Sequence, residues 1–210
     1  MATIPMVQPV TLQTAQRYAL NAGMMVVDVD ISKVTDAETF LAAVKADQEK
    51  WLGATSGSTT ISEGRKNWSP DHNGLYIPWK GGQYLDSAQP SIKTKLVEMK
   101  PTNLKLSSGA ADISDEATNA VTIKPRATYS LEDYHTVIWF TNYGDEGIVA
   151  VILKNAICTT GLNWTVDDKK VATCDVEFKG HADDPLATDY LPIEYKIFKS
   201  STQAAGQTEE

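Results

Sequence analysis

The 210-residue chain has only two cysteines and three histidines, and fewer basic than acidic residues. Two cysteines make neither a disulfide framework nor a four-ligand zinc site. Cys158 and Cys174 fall on neighbouring predicted strands at different distances from the turn between them. Cross-strand pairing is therefore not expected. Both read as reduced, buried thiols, which suits a reducing cytosol. With 19 Lys and Arg against 27 Asp and Glu, the formal charge is −8 and the pI about 4.9. That balance argues against a protein that grips nucleic acid, because phosphate binding rests on Lys and Arg. It leaves room for one past which nucleic acid slides. No run approaches the ~20 apolar residues of a membrane span. A basic segment followed by an apolar one is also missing from the start, so no signal peptide is expected. What remains is ordinary globular composition, 42% hydrophobic and 22% charged, in a chain long enough to bury a core.

Catalytic signatures are equally scarce. There is no Gly-x-Ser-x-Gly, no phosphate-cradling glycine loop and no His-Glu-x-x-His. Asp71-His72 lies in a polar stretch with no adjacent nucleophile in a recognisable turn. His181 with Asp183-Asp184 has the spacing of no calcium loop and reads as a polar turn. No catalytic, cofactor or metal residue is expected, and the chain reads as a non-enzyme. Trp79, Trp139 and Trp164 fall in predicted strands, where core or interface packing is the ordinary use and a sugar-stacking platform the alternative.

Residues 1–20, with Pro5, Pro9 and little charge, read as an extended arm, either disordered or ordered against a partner. Ile4, Met6, Val7, Val10 and Leu12 are its candidate contacts. Gly23–Val29 follows as a β-branched strand. The clearest helix is expected over 36–51, with Thr35 as N-cap, Glu38 completing a capping box and Gly53 as the left-handed stop. A second, short helix is expected near 101–107, started by Pro101 and ended by Gly109. Strands are expected over Thr59–Glu63, Leu75–Trp79, Ile92–Met99, Asn119–Lys124, Thr136–Thr141, Ile148–Ala156, Val171–Gly180 and Leu191–Phe198. Many strands, short turns and one strong helix predict a mainly β protein, an antiparallel β-sandwich or partly open barrel with helix packed on it. Residues 21–199 form the domain, with a helix insertion at about 35–52, and 200–210 read as a disordered tail.

The final third carries the sharpest pattern. After the turn Asp167-Asp168-Lys169-Lys170, the strand Val171–Lys179 alternates strictly, with Cys174, Val176 and Phe178 on one face and Asp175, Glu177 and Lys179 on the other. One face is core and the other solvated and net acidic, so a one-residue slip would exchange them and the register is firm.

Several segments, in order, resemble the tail tube proteins of long-tailed bacteriophages. Trp139–Val151 looks like that family's aromatic strand, turn and apolar strand. Asn155–Leu162, Phe178–His181 and Leu191–Tyr195 are similar to its later strand ends. Leu20–Gly23 and Leu52–Gly57 resemble its early L-N-A-G and G-A-T-x-G elements. The likeness is nearest to non-contractile tubes of phages of Gram-positive hosts. Where such proteins run from the first strand directly into G-A-T, this chain inserts its capped helix.

The resemblance implies two packed sheets with a flanking helix, homohexameric rings stacked into a tube, and a lumen conducting the genome at ejection. The partners it implies are further copies of the chain, the tape measure, terminator and distal tail proteins, and DNA that passes without specific binding. The location it implies is the virion tail, after synthesis in the host bacterial cytoplasm. Asp175, Glu177 and Lys179 are candidate lumen residues, the alternative being an ordinary outer solvated face. Arg65, Lys66, Trp68, Asp71 and His72, in a polar segment read as a loop over 64–74, are candidate contacts to the adjacent ring. The competing function is a β-sandwich module binding carbohydrate or a cell surface.

Overall fold

The computed structural model describes residues 19–71, 77, 79–117, 120–144, 146–184 and 189–201. The candidate arm contacts Ile4, Met6, Val7, Val10 and Leu12, the residue His72, most of the expected strand Leu75–Trp79 and all but the start of the C-terminal tail lie outside them. The described chain is mainly β and antiparallel, with no closed barrel.

Nine strands form one hydrogen-bonded system, bent into two sheets. The first sheet runs β2 (Trp51–Gly53), β1 (Ala19–Val27), β9 (His135–Tyr143), β10 (Gly147–Cys158), β13 (Ile193–Lys199). The second comprises β3 (Thr55–Ser62), β6 (Ser91–Leu96), β12 (Thr173–Lys179) and the short β11 (Asn163–Thr165). Strand β10 belongs to both, because its last residues leave the first sheet and pair with β12. That passage needs a bulge, and Asn155 makes it at φ 46°. Asparagine tolerates this left-handed conformation better than most residues. Its side-chain amide donates to His181 O at 3.2 Å and to Asp183 Oδ1 at 2.6 Å. The bulge also shifts the alternation by one, so that Val151, Leu153, Ala156 and Cys158 all reach the same core.

That core lies between the sheets, where Met25, Val27, Val137, Val151 and Leu153 meet Ile92, Leu96, Cys174, Val176 and Phe178. The opposite face of the first sheet is buried by helix α1 (Ala37–Ala46), through Phe40 and Val44 against Val26, Ile138, Phe140, Ile152 and Phe198. The Phe40 ring stacks on Phe198 at 4.8 Å and meets Phe140 edge-on at 5.1 Å. Both cysteines are free and buried, Cys158 opposite Phe178 and Cys174 opposite Trp164, as their places in the sequence suggested.

Helix α1 differs from expectation at both ends. Its N-cap is Asp36 rather than Thr35, with Asp36 Oδ1 accepting from Thr39 N at 2.7 Å and Thr39, not Glu38, closing the capping box. An ionised carboxylate is the stronger acceptor for an orphan N–H at a helix start. Glu38 instead accepts from Ser200 Oγ at 2.8 Å. The helix stops at Ala46, and a 3₁₀ turn over Gln48–Lys50 leads into β2. The expected extension to 51 rested on Trp51 and Leu52, but these face opposite cores, which is strand geometry. Gly53 does take positive φ, at 85°, but at the corner from β2 into β3, where a Cβ would fall 2.2 Å from the Glu98 carboxyl carbon. Helix α2 (Pro101–Ser107) occupies the expected residues, and its buried Asn103 donates to Leu52 O and Glu98 O, pinning that corner.

Two antiparallel ribbons stand apart from the main system. One pairs β4 (Arg65–Trp68) with β5 (Tyr84–Ala88); the other pairs β7 (Ala111–Ala117) with β8 (Ala120–Pro125). The first corrects the reading of 64–74 as a loop, because 65–68 are paired backbone. Four consecutive polar or aromatic residues carry no core-facing alternation, so the pattern concealed the strand.

Candidate functional site

The candidate lumen residues Asp175, Glu177 and Lys179 occupy the outer face of β12, as their alternation with Cys174, Val176 and Phe178 required. Their neighbours change the chemistry. On β6, Lys95 lies opposite Asp175 and Lys93 opposite Glu177, while Ser91 faces Lys179. Lys95 Nζ is 3.3 Å from Asp175 Oδ1. The face was expected to be net acidic; as assembled it sets two carboxylates against three ammoniums. The acidic reading took one strand alone, whereas cross-strand partners decide the charge of a sheet face. The rest of this face is small and polar, with Ser56, Thr60 and Ser62 on β3 and Asn163 and Thr165 on β11. Within strands β3, β6, β11 and β12, no exposed large apolar side chain lies on this face.

Of the candidate inter-ring residues, Arg65, Lys66 and Trp68 are brought together on β4, and all are exposed. Asp71 lies just beyond the strand and is exposed. Trp68 pairs in register with Tyr84, with ring centroids 5.8 Å apart and tilted by 41°. Arg65 is ion-paired to Glu63. Ser69 Oγ donates to Gly82 O at 3.0 Å and holds the strands together past the aromatic pair. Trp68, Trp79, Tyr84 and Leu85 are all exposed, although an isolated ribbon in water is marginal without something to cover its apolar side.

Further apolar groups stand exposed outside the candidate lumen and inter-ring residues. Leu162, Trp164 and Val166 recur at every second residue through β11. Ile113 and Val121 project from the β7–β8 ribbon. Tyr195 and Ile197 are each 54% exposed on β13, the free edge strand of the first sheet. They share the face of Ile193, which is buried; Tyr195 bonds to Glu63 just past β3, yet about half of it and of Ile197 stays exposed. Alternation in Ile193-Glu194-Tyr195-Lys196-Ile197 was visible in the sequence; that half of it lacks a cover was not.

The two described histidines, His135 and His181, serve the fold. Asp28, at φ 54°, accepts from Thr136 N at 2.7 Å and lies 2.6 Å from His135 Nδ1, tying the end of β1 to the start of β9. Burial pushes the Asp28 carboxyl up, but its bonds to His135 and Thr136 outweigh this and hold it below the usual range. His181 Nδ1 lies 3.1 Å from Asn155 O, and its ring meets Tyr134 edge-on. Among the described residues, no three His, Cys, Asp or Glu side chains cluster as a metal site.

At the base of the β7–β8 ribbon, Arg126 bridges Asp112, at 3.2 Å, and the buried Asp133. Asp133 also accepts from Ser130 N at 2.7 Å and Ser130 Oγ at 3.1 Å. Burial alone would raise its carboxyl, but these bonds and the guanidinium lower it overall. This pair, with its carboxylate buried and its guanidinium partly exposed, anchors the ribbon.

No protein-family model matches the chain, and no curated protein matches it.

Proposed function

We propose that this chain is the structural subunit of a phage tail tube, building stacked hexameric rings around a lumen that conducts DNA. The observation that carries the reading is the division of its surface. One broad sheet face is free of large apolar side chains and charge-compensated, while two ribbons, an edge strand and a hairpin expose apolar groups that a lone subunit leaves wet. A conduit needs both: apolar contacts that bury against further copies, and a wall to which a polyanion does not adhere. Head-to-tail contacts between such surfaces propagate into a filament. The ordered family-like segments of the sequence support the same reading.

In this arrangement the second sheet lines the lumen through Asp175, Glu177, Lys179, Lys93 and Lys95. The β4–β5 ribbon, with Arg65, Lys66 and Trp68 and with Asp71 just beyond the strand, reaches the next ring. Helix α1 lies on the far side of the first sheet. The subunit acts as a non-enzyme within the virion tail.

Electron microscopy of the concentrated, purified full chain tests this directly. Stacked rings with a central hole are the expected result; particles without rings at every concentration would sink the proposal. The exposed Trp68–Tyr84 pair is the one feature that favours a carbohydrate-binding module instead. A glycan array on the same preparation separates the two, with no binding expected of a tube subunit.

A further inference from the structure

Strand β13 ends the first sheet, and among the described residues it pairs only with β10. An open edge presents a row of unpaired backbone groups and invites another strand. Three features single this edge out. Tyr195 and Ile197 are half exposed on one of its faces. On the other face Glu194 lies between Lys154, with which it is ion-paired, and Lys196, at 3.4 Å. The edge opens into a groove of about 480 Å³ lined by Glu63, Arg65, Leu85 and Tyr190 beside Ile193 and Tyr195.

We infer that β13 pairs antiparallel with β13 of a second copy, about a two-fold axis through Tyr195. The sequence of the strand selects that register. Centred on Tyr195, the pairing sets Glu194 against the second copy's Lys196 and Lys196 against its Glu194. It also sets Ile193 against Ile197 on both sides and Tyr195 against itself. From Ile193 to Ile197, opposite charges and apolar groups then meet at every position, each a favourable cross-strand pair. Moving the axis to Lys196 opposes two ammoniums and places Glu194 against Phe198; moving it to Glu194 opposes two carboxylates. Either neighbouring register destabilises through like charges directly opposite.

The pairing joins the first sheets of two copies into one and covers the half of Tyr195 and Ile197 that the second sheet leaves open. Because a two-fold contact is closed, it stops at two copies and extends no filament. The dimer is thus a separate association from ring building and does not rest on the tail tube reading. It is a form in which the exposed edge of the free subunit is satisfied.

Sedimentation equilibrium of the full chain tests it through charge reversal. The parent is expected to dimerise. Glu194→Lys and Lys196→Glu should each be monomeric alone, since each sets like charges opposite one another twice. Mixed in equal amounts they should recover a dimer, with the doubly basic strand of one against the doubly acidic strand of the other. That recovery also shows that both variants are folded. A parent without a two-fold species, single variants that still dimerise, or a mixture that stays monomeric each overturn the inference. Tyr195→Cys locates the axis, because only this register brings position 195 against itself and lets mild oxidation link two chains. Linkage through Lys196→Cys in its place overturns the register. Rings that form while Tyr195→Cys stays unlinked remove the dimer and leave the tube proposal standing.

Discussion

Strands β3 and β4 are separated in sequence only by Glu63 and Gly64, yet they belong to surfaces built on opposite rules. β3 adds Ser56, Thr60 and Ser62 to a sheet face whose two carboxylates stand opposite lysines and whose neighbouring apolar groups turn inward. β4 carries Trp68 outward on a ribbon whose residues 65–68 are all exposed. Gly64, at φ 58°, makes the turn, and a Cβ there would meet Gln89 O at 2.3 Å. A short stretch of chain thus leaves a surface of small polar and charged groups for one that exposes aromatic side chains. The same residue type therefore stands differently in the two regions: a large apolar group under β12 holds the fold, whereas one on β4 is exposed and, under the tail tube proposal, contacts further copies.

The sharpest way to break that comparison is to truncate one aromatic in each region. Phe178 is fully buried between the sheets. Phe178→Ala is expected to cost about 3–5 kcal/mol, the usual range for removing a buried aromatic ring. Denaturant unfolding would read this directly. Trp68→Ala should change stability by roughly 0.5 kcal/mol or less, as exposed positions do, while removing ring stacking. If Trp68→Ala unfolds the chain, or tubes form as before, the division into fold-holding and assembly-holding surfaces is wrong.

A middle effect is expected where a ribbon joins the body. Asp133→Asn leaves Arg126 short of its buried partner and should cost about 1–3 kcal/mol at neutral pH. The Asp133 carboxyl is depressed in the folded chain. The stability it contributes is therefore fully present above the ordinary carboxylate value of about 4 and lost as pH falls through the lower folded value. The parent should lose stability more steeply than Asp133→Asn below about pH 4 in parallel denaturation series. Equal acid sensitivity would show that Asp133 is not what couples the β7–β8 ribbon to pH.

Much of the fold was legible in the sequence because burial imposes period. The alternation of β12 and the two buried thiols follow from one face meeting a core, while the limits of α2 follow from Pro101 at its start and Gly109 just past its end. The end of α1 was misread because apolar Trp51 and Leu52 fit a helical spacing, and only their opposite destinations distinguish strand from helix. The β4–β5 ribbon was hidden for the converse reason. With no core beneath it, Arg65–Trp68 shows no alternation at all. The candidate site divides the same way. The facing of Asp175 and Glu177 was readable from one strand, but their neutralisation by Lys95 and Lys93 depends on a strand some eighty residues earlier in the chain.

That neutralisation gives the smallest and most informative test. Lys95 is more than half exposed and Asp175 about a third, so their ion pair contributes roughly 0–1 kcal/mol and is screened by salt. Reversing both lysines, Lys93→Glu with Lys95→Glu, sets like charges opposite at two positions, each costing about 0.2–1 kcal/mol. The fold should survive, with a deficit that shrinks as salt is added. The reverse pair, Asp175→Lys with Glu177→Lys, should be equally mild for stability but turns the whole face basic. If that face lines a DNA conduit, tubes of the basic variant should retain DNA with a steep salt dependence. Tubes of the acidic variant, like the parent, should not. Retention equal in all three would place the second sheet away from the lumen, and the ribbons and edges would then have to be arranged around a different axis.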